Sequence, residues 1–216
     1  MKRQDGSGAD ARWLLRVRRC AAGLLLASLM AVAGGSLLGC VSSGPSGEAR
    51  LASAFGGDFV ALKMPITAYA YRDANSADLY FTDLSAEALE AAAEGDDLTG
   101  IAGHFLHVHL FLVPEAGLTP IDSSACSVIL RHVIIADGEL GMYGGGGFMF
   151  VSGDAGDETF GGSIDNATMR LIAATESFDD RLGHATFSGQ VRAMKDEATA
   201  TELGRQFAAV LRRFAP

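Results

Sequence analysis

The chain has 216 residues, 49% of them hydrophobic, and a formal net charge of −9. That length is sufficient for one domain with a well-packed core. Because phosphate backbones are bound by clustered Lys and Arg, so acidic a chain is excluded as a general nucleic-acid binder.

The first 39 residues have the composition of an export signal. From Cys20 to Leu38 the residues are almost all apolar or small, and none is charged. A run of this length also approaches the ~20 residues of a membrane-spanning helix, so a retained helix is the alternative. Its glycines and alanines make it less hydrophobic than a typical span. The segment before it is basic, with Lys2, Arg3, Arg12, Arg16, Arg18 and Arg19 against Asp5 and Asp10.

The apolar run ends in Leu37-Leu38-Gly39-Cys40, which resembles the lipobox of bacterial lipoprotein signal peptides. The resemblance implies that residues 1–39 are a signal peptide, removed just before Cys40, and that Cys40 is diacylated and its new amino group acylated. The implied partner is the membrane of the cell envelope, held through the lipid anchor. The residue after Cys40 is Val41. In this class of lipoprotein an Asp at that position favours retention in the inner membrane, so the outer membrane is the expected location.

Removal of residues 1–39 would change the net charge to about −13 and leave two cysteines, Cys40 and Cys126. Residues 40–50 are rich in Gly, Ser and Pro and predict a flexible tether behind the lipidated Cys40. Residues 51–216 contain no second linker and are predicted to form a single globular β-rich domain. Cys126 precedes an apolar run and is expected to be a buried, unpaired thiol.

The first half of this domain predicts a β-hairpin and one short helix. Residues 66–71 alternate in polarity as a half-buried strand does, residues 73–78 have turn chemistry, and residues 79–82 form the partner strand. Ser85 then begins a helix over residues 86–94, which Gly95 ends.

The second half predicts long strands and a final helix. The four glycines at 144–147 are interpreted as a hairpin connection or bulge, since Gly weakens a strand. The fold class is therefore mainly β (α+β), an antiparallel sandwich or curled half-barrel with one short helix and an amphipathic C-terminal helix. The predicted strands are 104–113, 127–135, 147–152, 163–174 and 183–194, and the final helix is 197–214.

Histidines in the strand 104–113 form the sharpest candidate site. Alternation places His107 and His109 on one face and His104 on the other. Two imidazoles on one face can converge on a metal ion, with zinc the obvious candidate and His132 or His184 as a third ligand. The alternative is that the histidines only populate a wetter face of the sheet, since no carboxylate is near in sequence.

Two functions follow. The first is a membrane-anchored envelope lipoprotein without enzymatic activity or cofactor, a binding or structural module for an envelope protein, a glycan or a small ligand. No His-Glu-x-x-His element and no Gly-x-Ser-x-Gly elbow occurs in the sequence. The second is a zinc-dependent hydrolase or metal-binding protein that uses His107 and His109.

Overall fold

A computed structural model describes residues 49–114 and 126–214. These two stretches contain ten strands and two helices. In chain order they are β1 (Ala49–Ser53), β2 (Phe59–Leu62), β3 (Ile66–Asp73), β4 (Ser76–Thr82), α1 (Ala86–Glu94), β5 (Gly103–Leu110), β6 (Val128–Ala136), β7 (Glu139–Gly147), β8 (Met149–Ser152), β9 (Thr159–Ala174), β10 (His184–Met194) and α2 (Glu197–Arg212).

The strands form one antiparallel sheet in the order β2-β1-β10-β9-β7-β6-β5-β4-β3, with β8 paired to β9. The sheet curls, which brings Tyr69 of the edge strand β3 beside β9, five strands away in the order. Its ring lies 5.6 Å from that of Phe160 on β9, and its hydroxyl donates to the carbonyl of Asp157. The predicted fold class is confirmed as a curled half-barrel with a C-terminal helix.

Side chains alternate between the faces of the sheet, so strands β3, β5, β6 and β7 contribute buried residues to two separate cores. The inner face of the curl carries one core, which includes Leu106, Val108 and Leu110 of β5. The opposite face, here called the helix face, packs Phe105 and its neighbours against α1 and α2. Along β5, even-numbered residues therefore face the inner core and odd-numbered residues face the helices.

Helix α1 begins and ends where its capping residues predict, whereas α2 ends at Arg212, two residues before the predicted end. Ser85 Oγ accepts a hydrogen bond from the Ala88 N–H at 3.2 Å, and Gly95 ends α1 with a φ of 90°. Asp196 caps α2 by accepting from the Thr199 N–H at 2.9 Å. Leu203, Phe207 and Val210 of α2 are buried on the helix face.

Three strands were not predicted: β1, β2 and β7. The glycines at 144–147 do not connect a hairpin but form the end of β7 itself, paired along β6 and β9. The real hairpin connection is Asp137-Gly138, where φ is 53° and 86°. Cys126 is half-buried rather than buried.

Strand β1 begins at Ala49, two residues inside the predicted tether. The predicted signal peptide, Cys40 and residues 40–48 of the tether lie outside the described residues. Within the described part of the chain, no helix is both long enough and apolar enough to cross a membrane.

Glycine is required at 145 because β7 and β9 approach closely there. A Cβ built on Gly145 would lie 1.8 Å from the carbonyl oxygen of Thr168. We expect Gly145→Ala to lower the free energy of unfolding by about 1–3 kcal/mol, as overpacking does. Gly57→Ala, whose Cβ would meet nothing within 4 Å, should stay within about 1 kcal/mol of the parent. Denaturant titration measures both; equal stability of the two variants would contradict the close approach.

Candidate metal centre

Strand β5 presents its histidines to opposite faces, as the alternation predicts. His107 and His109 lie on the helix face beside Phe105, whereas His104 shares the inner face with Leu106. The rings of His107 and His109 are 6.2 Å apart between centroids. Two imidazoles are therefore neighbours on one face of a rigid strand.

A carboxylate from the adjacent strand joins the two imidazoles. The antiparallel register of β4 and β5 pairs Asp78 with His109 and Tyr80 with His107. Asp78 Oδ1 lies 2.9 Å from His107 Nε2 and 2.8 Å from His109 Nδ1. One ligand atom from each of these three residues lies within 4.8 Å of the other two.

The hydrogen bonds keep Asp78 ionised. Partial burial acts to raise its pKa, but hydrogen bonds and favourable charge interactions with His107 and His109 outweigh burial and lower that pKa to about 2. An ionised carboxylate only accepts hydrogen bonds, so the protons lie on His107 Nε2 and His109 Nδ1. Arg72 approaches Asp78 Oδ2 at 3.7 Å, but its side chain is 76% exposed and contributes little.

Aromatic rings enclose His107 and fix its plane. The ring of Tyr80 stacks on it at 4.6 Å with an interplanar angle of 7°, and Phe207 of α2 meets it edge-on at 5.4 Å. Burial and the charge of Asp78 raise the pKa of Tyr80 to about 12, so its hydroxyl stays protonated. Gly204 of α2 leaves room for that hydroxyl, since a Cβ there would lie 2.8 Å from it.

The two imidazoles differ in their access to solvent. The His107 side chain is 10% exposed and its Nδ1 is buried without a hydrogen-bond partner among the described residues. The His109 side chain is 29% exposed, so water can reach the open side of the cluster. The cluster thus has a protein-covered side at His107 and a solvent side at His109.

The other two predicted ligands are elsewhere. His132 of β6 pairs in register with Leu106 and lies on the inner face, where its Nε2 is 3.2 Å from His104 Nδ1. His184 begins β10, which is four strands from β5 in the sheet, and its ring lies 6.1 Å from that of Phe55. Neither can complete a site with His107 and His109; the third candidate ligand is Asp78.

The donor set and its spacing fit a zinc ion after a small expansion. Tetrahedral zinc binds nitrogen and oxygen at 2.0–2.2 Å, which places ligand atoms about 3.3 Å apart. The two oxygen-to-nitrogen separations are 2.9 and 2.8 Å, so each must widen by about 0.5 Å. Three protein ligands would leave a fourth position for water on the exposed side at His109.

Metal binding would also move a proton. Once His107 Nε2 faces an ion, its remaining proton lies on Nδ1, the buried atom without a partner. Outer hydrogen bonds to metal-bound histidines are typically worth 10–100-fold in affinity. We therefore expect a site weaker than a fully supported zinc centre.

Against known proteins, the chain matches no family model, no curated protein and no solved structure. The function is therefore inferred from the residues themselves.

The inner histidine pair predicts an acid-sensitive fold. Burial lowers the pKa of His132 well below its ordinary value and also lowers that of His104, which the charge of Asp83 partly opposes. An unfolded chain takes up these protons at about pH 6.5, so the folded state loses stability as pH falls below that value. Denaturant titrations between pH 7 and pH 5, with a chelator present, measure the loss.

Replacement of His132 tests the origin of that loss. His132→Leu places an apolar side chain in the inner core and should reduce the dependence of stability on pH. His184→Leu, which removes an exposed imidazole, is the matched control and should follow the parent. If His132→Leu loses stability in acid as steeply as the parent, the buried pair is not the cause.

Proposed function

We propose that this chain is a lipid-anchored protein of the bacterial cell envelope whose domain binds a divalent metal ion, zinc being the best fit. Asp78, His107 and His109 would be the ligands. The observation that carries the proposal is the convergence of one carboxylate oxygen and two imidazole nitrogens within 4.8 Å. Nitrogen and oxygen ligands in this number suit zinc.

Rigid strands support the site. Asp78 and His109 are register partners on adjacent strands, and His107 is held between Tyr80 and Phe207. The hydrogen bonds to Asp78 hold the ligands together before metal arrives, which lowers the ordering cost of binding. A solvent side at His109 provides the entry path that an ion requires.

Binding fits this geometry better than hydrolysis. A zinc hydrolase needs a group beside the ligands that takes a proton from metal-bound water. Asp78 is the carboxylate in contact with the two imidazoles in the described part of the chain, and it is itself used as a ligand. Tyr80 cannot serve as a base because its pKa is raised to about 12.

The anchor belongs to the same proposal. Its support is the basic and apolar segment before Cys40 and the match of residues 37–40 to a lipobox. A tether would then hold the acidic domain at the membrane through acyl chains, at ~0.8 kcal/mol for each buried methylene. The outer membrane is the proposed location because Val41 follows Cys40.

Metal binding is tested on the purified chain. After chelation and addition of zinc, we expect about one bound ion per chain and a rise in melting temperature that grows with free zinc. His109→Ala should weaken zinc binding at least 10-fold, because it removes one of three ligands. Calorimetry and elemental analysis measure both quantities.

The exposed His184 provides the matched control. His184→Ala removes an imidazole outside the cluster and should keep the parent affinity. Absence of stoichiometric zinc in the parent, or equal affinity in the two alanine variants, would contradict the proposed site. Asp78→Asn should also weaken binding, since a neutral amide replaces the charged ligand.

Lipidation is tested separately by Cys40→Ser. This variant should lose acyl labelling and retain its uncut N-terminal segment, because acylation of the cysteine precedes cleavage in this export class. Mass spectrometry and labelling with a radioactive fatty acid report the two events. A Cys40→Ser variant that is still acylated, or a parent chain that never is, would exclude the anchor.

A further inference from the structure

The turn between β1 and β2 carries two almost bare aromatic side chains. Phe55 is 89% exposed and Phe59 is 65% exposed, the highest values among the large hydrophobic residues described. Single exposed apolar residues are common on protein surfaces, but here two exposed aromatic side chains lie four residues apart at one turn, here called the tip.

Hydrogen bonds hold this turn in shape. The Ser53 N–H donates to the carbonyl of Asp58 at 2.8 Å, and the Gly56 N–H donates to Ser53 Oγ at 3.1 Å. The Ala54 N–H donates to the carbonyl of His184 at 2.7 Å and ties the turn to the start of β10. The two rings are thus displayed by an ordered loop at the edge of the sheet.

The proposed anchor determines which surface this tip can meet. Eight residues separate Cys40 from Ala49, the first residue of β1, and this stretch can span roughly 30 Å when extended. The five residues of β1 cover only about 17 Å. The tether is therefore long enough for the turn to reach back to the membrane that holds the lipid.

We infer that Phe55 and Phe59 insert into the interfacial region of that membrane and form a second, reversible contact beside the lipid anchor. This inference rests on the proposed acylation of Cys40. A bilayer interface accepts flat aromatic rings with polar backbone next to them. The second contact would limit how the tethered domain rotates over the membrane.

Charge indicates what kind of lipid the tip tolerates. Asp58 lies between the two rings in sequence and is exposed, and the neighbouring segment carries Asp179, Asp180 and Arg181, the last ion-paired with Asp179 at 2.8 Å. No attraction to anionic lipid is expected from such a surface. Contact should therefore depend on apolar insertion, occur on zwitterionic bilayers and change little with salt.

A single tryptophan can report insertion. The chain has one Trp, Trp13, within the segment that processing would remove. Phe55→Trp then gives the mature lipidated chain a single fluorophore at the tip. On phosphatidylcholine vesicles containing brominated acyl chains we expect a blue shift and at least a 2-fold loss of emission.

Phe150→Trp is the matched control. Phe150 is 50% exposed, and its partner Ser163 pairs with Gln190, six residues along β10 from His184. That separation is about 20 Å, so the control emission should be quenched little. Equal quenching at the two positions, or none at position 55 in the lipidated chain, would overturn the inference.

The outcomes separate failure of the tip from failure of the anchor. Mass spectrometry of the same samples reports acylation, and residual Trp13 emission in the parent chain reports an uncut signal. A blue shift at position 55 without vesicles would indicate a second copy of the chain as the occupant, and would also overturn the inference. The double variant Phe55→Ser, Phe59→Ser should still be acylated, but its domain should lose contact with the vesicle surface at any salt concentration. A fluorescent label on Cys126 would then depolarise faster than in the parent.

Discussion

One oxygen atom, Asp78 Oδ1, accepts hydrogen bonds from two imidazoles of the neighbouring strand at 2.9 and 2.8 Å. This arrangement depends on the register of β4 against β5. A slip of one residue would move Asp78 to the inner core, because the side-chain period of a strand is two. The inner residues Leu79, Leu106 and Val108 fix the register by their burial, and so the apolar core determines where the polar cluster forms.

The second helix makes the cluster asymmetric. Phe207 packs between Phe105 and His107, and Gly204 admits the hydroxyl of Tyr80 beneath the helix. His107 is thereby withdrawn from water while His109 remains partly exposed. Such a cluster combines an immobile ligand with an accessible one. Because His107 is covered, its Nδ1 is buried, and no described residue would accept the Nδ1 proton after metal binding.

Local patterns predicted the elements whose signals are local. Ser85 and Gly95 bounded α1, and alternation along β5 assigned His107 and His109 to one face. The local pattern assigns Asp78 to a turn, because nothing near it in sequence shows that β4 begins at Ser76. Local patterns do not predict strand β7 because glycine has low strand propensity. Glycine suits this strand only because β9 approaches it too closely for a side chain. Register between strands is a tertiary property and cannot be derived from either segment alone.

We propose that Asp78, His107 and His109 form one metal site. X-ray absorption at the zinc edge, on the purified chain loaded with one equivalent of zinc, reports the ligands of the bound ion. We predict two imidazole ligands and oxygen donors at about 2.0–2.2 Å, with no sulfur. A sulfur shell near ~2.3 Å would indicate a site at a cysteine thiolate instead, and a shell of oxygen alone would show that neither histidine binds the ion.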